Sequence, residues 1–522
     1  MTLGDLVQAS NVVRAFRERY GSHDRGVQLA IVVGLPIVSL LWAFALTHLR
    51  YTYLLGIAAS ALFLWTVFVL ESLEVGLVLV VVSAVILEAE LGGTWNVYGF
   101  HVGATDATMF GVLLAYVARR TLRFTAHGAT STLRTWGNHR EIPVLLMGFV
   151  FLFLLSSLSW SEPHQQSLER WWTLCLRPVL LFVLARAVVY DRDPEGLILA
   201  LLAFAILVAA NENMKIFLHI PLIPPRYQFG YAEKIADVPF RTKMEIATLT
   251  FPPILSWPAW AGGLVASLLS IPVMVSLLDH RLAIRMIGFV AAGSLSVPLL
   301  LYLDRSSWLG GLLVMAIVVG FAARAKNFKL LLVPVLLVVA AGLFAAQLFH
   351  TSAPVSDMLK QASETDRVPL WINTLYALPH MPLLSGIGFE FDAFERYLSM
   401  YGQLSYKCTE CLVVGTYSQS HNSYLQLLVS VGVPASVLFL FLLVTVFRSG
   451  VQVLARLRFQ DSSQQALLAV FAAWCGLCLM AFFNHHISYV PLSSMFWLCM
   501  GTIVGLAQKI NDQELSSRDL SA

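Results

Sequence analysis

The chain has 522 residues, of which 58% are apolar and only 12% charged, a charged share about half that of a soluble globular protein. With a mean hydropathy of +0.73 and a formal net charge of +3, the composition excludes a soluble globular fold. It also carries no strongly basic footprint that would point to nucleic acid.

Apolar runs of about 18–22 residues recur from end to end, each long enough to cross a bilayer. Spanning backbone must satisfy its own hydrogen bonds, so the expected fold class is all-α. We read a polytopic membrane protein with about 12–14 transmembrane helices and one large external loop. The expected spans are 27–47, 52–70, 75–91, 105–118, 142–160, 171–190, 195–212, 248–278, 286–302, 307–323, 330–348, 423–446, 466–483 and 488–507. The first run ends in Ala43-Phe44-Ala45, which resembles a signal-peptidase site. Its long leader and long apolar stretch favour an uncleaved helix. The run 248–278 contains Pro252, Pro253 and Pro258. It reads either as a kinked helix or as a re-entrant piece followed by a span.

Basic residues set the orientation. Arg14, Arg17, Arg19 and Arg25 place the N-terminus in the cytoplasm. Arg119, Arg120, Arg123, Arg134 and Arg140 return there after four spans, as do Arg281, Arg285, Arg324, Lys326, Lys329, Arg448, Arg456 and Arg458. The loops 213–247 and 349–421 and the short turn containing Arg305 then face outward. Loop 213–247 carries Lys215, Arg226, Lys234, Arg241 and Lys243 beside Glu212, Glu233, Asp237 and Glu245. The cations meet an anionic ligand or are balanced by these acids. The resulting division is a basic N-terminus (1–26), an N-terminal bundle (27–285), a core with the large loop (286–446), two C-terminal spans (447–507) and a polar tail (508–522). The tail is expected to be disordered.

The polar stretch 349–426 interrupts a very apolar chain, and long external loops carry function. Arg367 and Trp371 stand one helical turn apart, followed by Pro379, Pro382, Gly386 and Gly388 in a turn-rich segment. Arg305 lies at the outer end between two spans, where a charge is costly and usually partnered. It pairs with Asp304, snorkels to the interface, or serves a ligand. Two arginine forks suit a diphosphate, because each binds oxygens bidentately. His421 precedes Ser423 and Gln426, which fit a capping box with Ser423 as the N-cap. The positive helix end disfavours an imidazolium, so a neutral ring there suits a general base. A histidine that merely bonds backbone is the plainer reading.

Together these features resemble the O-antigen ligase and polymerase superfamily of bacterial envelope glycosyltransferases. The order is an arginine at a helix mouth, Arg-x-x-x-Trp and a Pro/Gly turn in a large external loop, then His-Asn-x-Tyr-Leu and Gly432-Val433-Pro434 in the next helix. The resemblance covers roughly 290–446. Pro382 to Gly386 is one residue longer than the usual family spacing. The resemblance implies an inner-membrane enzyme with both termini cytoplasmic and a periplasmic site. It would transfer a glycan from undecaprenyl diphosphate to a glycan or lipid acceptor, with no metal or cofactor. By motif position, Arg305 and Arg367 would hold the diphosphate and His421 would deprotonate or orient the acceptor, supported by Asn422, Trp371, Gly386 and Gly388. A ligase is favoured over a polymerase. A transporter or flippase is the competing class, but its site would lie near the bilayer midplane.

Other candidates rank lower. Cys408 and Cys411 form a C-x-x-C suited to a local disulfide in an oxidising compartment. His485 and His486 sit on the last external turn and could reach the same cavity, though adjacent side chains point apart. Arg177 lies within a span and needs a lipid phosphate, a carboxylate or Asn211. Glu390, Asp392 and Glu395 form either an acceptor-side acidic group or a solvated face.

Overall fold

The apolar runs fold as helices, the local structure that pairs its own backbone within one crossing. The computed structural model describes residues 72–90, 94–97, 100–127, 141–159, 164–218, 222, 258–302, 304–325, 367–389, 391–401, 420–457, 459 and 461–519. The expected spans 27–47, 52–70 and 330–348, and the Cys408/Cys411 pair, lie outside these residues.

Helix α1 (Leu73–Val82) continues as a π-helical segment to Glu90. A small antiparallel hairpin follows, β1 (Thr94–Val97) with β2 (Phe100–Gly103), which the hydropathy pattern did not suggest. Then come α2 (Ala104–His127), α3 (Glu141–Leu158), α4 (His164–Trp171), α5 (Arg177–Asp191) and α6 (Glu195–Asn213). The run 248–278 is described from Pro258, as α7 (Pro258–Leu268) and α8 (Ser270–Leu278). The two helices share one membrane-length span, Trp260–Leu278. They lead to α9 (Leu282–Leu301) and α10 (Arg305–Ala325). Two short helices belong to the long polar loop that follows α10, α11 (Arg367–Ala377) and α12 (Phe391–Tyr401). The chain closes with α13 (Ser423–Leu454), α14 (Ser462–Phe483) and α15 (Val490–Asp519). Among the described residues, nine helices are long and apolar enough to cross a membrane. The protein is a polytopic, all-α membrane protein, with one short hairpin among the described residues.

Helix α15 packs along α5, α14 and α13, while α10 lies on α14 and α13 on α3. Phe149, Phe439, Phe496 and Trp497 meet ring against ring at this junction. The tail is not a free polar strand: α15 stays helical to Asp519. Cross-chain bonds explain the extension. Arg186 donates to Gln508 at 2.5 Å, Tyr190 to Asp512 at 2.6 Å and Arg456 to Asn511 at 2.6 Å.

Arg177 finds carboxylates. Its guanidinium lies 3.3 Å from Asp106 and 3.5 Å from Glu88, all deep in the protein. Asp106 also accepts from Trp172 Nε1 and the Gly103 amide, so the hairpin is tied to the ion cluster. A buried arginine is tolerated when its charge is met in this way.

Candidate active site at three helix mouths

Helix α13 does not run straight through its expected span. Gly432 has φ +81°, a left-handed value that interrupts the helix, and Pro434 follows without an N–H. The carbonyls left without helical donors are paired from elsewhere, as buried backbone requires. Val429 O accepts from Ile387 N and Ser430 O from Gly388 N, both at 3.0 Å. Val431 O accepts from Ser156 Oγ at 2.9 Å. In return, Val433 N donates to Leu383 O at 2.7 Å. The turn 382–388 is thereby fastened to the broken helix. Gly386 (φ +67°) and Gly388 (φ +87°) take the left-handed conformations this needs. A Cβ on Gly386 would lie 2.3 Å from Ser430 backbone, and one on Gly432 would lie 2.7 Å from Leu383 O.

This clasp sets the position of α11, the helix just before the turn. Its first residue is Arg367, and Trp371 one turn on donates its indole N–H to Ser420 O at 2.8 Å. Ser420 is the residue before His421. The Trp371 ring also rests on Phe482 and Phe483 at the C-terminal end of α14.

His421 has φ +49°, an uncommon conformation for a residue with a side chain and one that costs on the order of 1–3 kcal/mol. Its neighbours hold it there. Ser420 N donates to Gln426 Oε1 at 2.9 Å, and Ser420 Oγ donates to Asn422 O at 2.8 Å. The N-cap is Asn422 rather than Ser423: Asn422 Oδ1 accepts from the Tyr424 and Leu425 amides, each at 3.0 Å. Ser423 is displaced from that role because it is bonded outward, its N and Oγ donating to Asn484 O at 3.1 and 2.7 Å. Gln426 is spent on Ser420 and Ser430. An Asn422→Ala variant should lose about 0.5–2 kcal/mol, read as a lower melting temperature, and loosen the setting of His421.

The same turn reaches α10. Asn484 is buried and donates from Nδ2 to Ser306 Oγ at 2.6 Å. Ser306 Oγ donates to Asp304 at 2.6 Å, and Asp304 also caps the helix by accepting from Ser307 N at 2.9 Å. Asp304 therefore acts as a cap at the mouth where Arg305 begins α10. Thus the backbone brings together the starts of α10, α11 and α13, with Arg305, Arg367 and His421 at or beside them. The capping bonds to Asp304, Asn422 and Asn484 occupy first-turn amides of α10 and α13, so what the helix ends offer an anion is their partial positive charge.

His485 meets His421 at a ring-centroid distance of 5.5 Å, so the turn after α14 reaches the candidate site. The signal was present as a polar Asn-His-His triplet closing an apolar run, but hydropathy did not show which helix it would touch. Lys215 is not an open cation: it lies buried, 3.4 Å from Glu212, which also receives Asn211 and the Tyr302 hydroxyl. Arg226, Lys234, Arg241 and Lys243 lie outside the described residues, as does Glu390. Asp392 and Glu395 fall on α12.

Residues 290–440 match a family model described as O-antigen ligase. The matched segment holds α10, α11, α12 and the clasp with α13. No curated protein matches the chain.

Proposed function

We propose, for a membrane protein whose core at 290–440 is of the O-antigen ligase family, that it transfers a glycan from undecaprenyl diphosphate to an acceptor hydroxyl on the periplasmic face. The observation that carries this reading is the meeting of three helix mouths, α10, α11 and α13, around a strained histidine. The diphosphate would sit near the positive helix ends with Arg305 and Arg367 as its clamps. His421 would accept the proton of the acceptor hydroxyl as its oxygen attacks the anomeric carbon. The bond from that carbon to the diphosphate breaks, and its electron pair leaves with the lipid diphosphate. Trp371 and Asn422 hold the His421 segment, and Gly386 and Gly388 hold α11. No step in this reading calls on a metal or cofactor.

We favour a ligase that joins a finished glycan to a second lipid, in a bacterial inner membrane with both termini cytoplasmic. The acceptor decides between ligase and polymerase. Transfer to a lipid A–core oligosaccharide supports the ligase, whereas lengthening with a second donor molecule as acceptor would replace it with a polymerase.

The clamp has its own test. Arg305→Lys and Arg367→Lys keep charge but lose bidentate geometry. Losing one such charged contact costs about 1.5–3 kcal/mol, or roughly ten- to a hundredfold in donor affinity. Both variants should insert normally and bind the donor that much more weakly in a filter or fluorescence assay. Unchanged affinity in both would reduce the arginines to anchors. Impermeant thiol labelling of single cysteines checks the orientation: position 130 should be protected in intact cells, and strong labelling there overturns it.

A further inference from the structure

Residues 484–489 lie beyond the family-matched segment, yet they form a wall of the site. Their turn is fastened to two of its three helix mouths, those of α13 and α10. Asn484 O takes two donors from Ser423, Ile487 N donates back to Ser423 Oγ at 3.2 Å, and Asn484 Nδ2 reaches Ser306 beside Arg305. This anchoring fixes His485 in one place. Its ring stands 5.5 Å from that of His421 at 65°, and 5.5 Å from Trp260 at 87°; Trp260 in turn stacks on Tyr489 at 3.9 Å. The result is a row of rings, Tyr489, Trp260, His485 and His421, ending on the residue whose backbone is strained. His486 points elsewhere, its Cε1 within 3.1 Å of where a Cβ on Gly263 would lie.

We infer that His485 is a positioning residue for His421: its ring fixes the orientation of the His421 imidazole and stabilises the imidazolium formed when the acceptor proton arrives. The inference rests on the base role proposed above. Edge-to-face ring contacts have a preferred geometry, and an aromatic ring also attracts a neighbouring cation. His485 gains no proton in this step. Among the groups facing it are Trp260 from α7, with Tyr489 behind that ring, and His421 ahead of α13. Asp304 reaches the turn through Ser306 and Asn484.

The test uses the full-length chain in nanodiscs, with undecaprenyl-diphosphate-linked oligosaccharide as donor and a lipid A–core oligosaccharide as acceptor. His485→Ala should lower kcat by about three- to tenfold, leave the donor KM in place, and move the His421 limb of the pH–rate profile to lower pH. His485→Phe keeps a ring and should restore most of kcat and the limb. A folded Phe variant as slow as Ala, or an Ala variant with wild-type kcat and pH limb, overturns the inference. If His485→Ala fails to fold, the Phe variant decides alone: a limb displaced as far as expected for Ala counts against a ring role. His421→Ala in the same assay separates the two readings. Full transfer there overturns the base assignment and this inference with it, whereas lost transfer beside wild-type His485 variants overturns only the latter.

Discussion

His421→Ala is expected to leave the chain folded and donor binding nearly intact while transfer falls by about 10²–10⁴, the usual contribution of a positioned acid–base group. That corresponds to roughly 3–5.5 kcal/mol of barrier. The separation of binding from turnover follows from the geometry. The residues flanking His421 are held by bonds of Ser420, Asn422 and Trp371 that an alanine at 421 does not remove. His421→Gln is the informative companion, because it keeps a hydrogen-bonding group without the basicity. A Gln variant near wild type would mean acceptor positioning rather than proton removal. The wild-type rate should also rise with pH as the imidazole loses its proton. Full transfer by His421→Ala in a purified assay would end the catalytic assignment, and a loop carboxylate such as Asp392 would be the next base to test.

Gly432→Ala should cost about 2–6 kcal/mol, the sum of a left-handed backbone strain and a packed-core clash. Its Cβ would be forced against Leu383 O and Leu384 backbone, which are not the flexible ends of a side chain and cannot swing aside. Gly386→Ala meets Ser430 backbone more closely still and should behave alike. Both lesions lie on one clasp, so the double variant should lose less than the sum. The measurement is thermal unfolding of the purified protein, followed by donor affinity in whatever fraction remains folded. Because the clasp carries α11, affinity should fall with stability. A Gly432→Ala protein melting at the wild-type temperature would show that the turn and the broken helix separate without cost.

Much of the architecture was legible in the chain before any coordinates. Span after span is long and apolar enough to declare itself, since hydropathy over about 20 residues is a local property matched to bilayer thickness. Within the described residues, nine of the expected spans fall on helices long and apolar enough to cross, α13 with its break at Gly432, while 75–91 and 105–118 fall on helices short of that measure. The site residues were legible as types: two arginines at helix mouths and a histidine ahead of a span. The Arg177 carboxylate was anticipated as one of several partners, but nothing local chose Asp106 and Glu88 over Asn211.

The cap of α13 shows where local reading ends. Ser423 and Gln426 have the spacing of a capping box, and in an isolated helix they would form one. The folded protein instead gives Ser423 to Asn484 and Gln426 to Ser420, so Asn422 becomes the cap. The extended helix at the C-terminus has the same origin, since its polar residues are held by α5 and by Arg456.

By itself, then, the sequence determined a bundle of membrane-crossing helices and the chemical types available at their outer ends. Those properties depend on composition over a single turn or a single span. Only the tertiary structure decided that the mouths of α10, α11 and α13 meet, that Gly432 breaks its helix against the 382–388 turn, and that His485 faces His421. Each of these depends on hydrogen bonds or ring contacts between residues far apart along the chain. Such pairings are selected by the need to satisfy every buried backbone group at once, a condition that no local stretch of sequence can express.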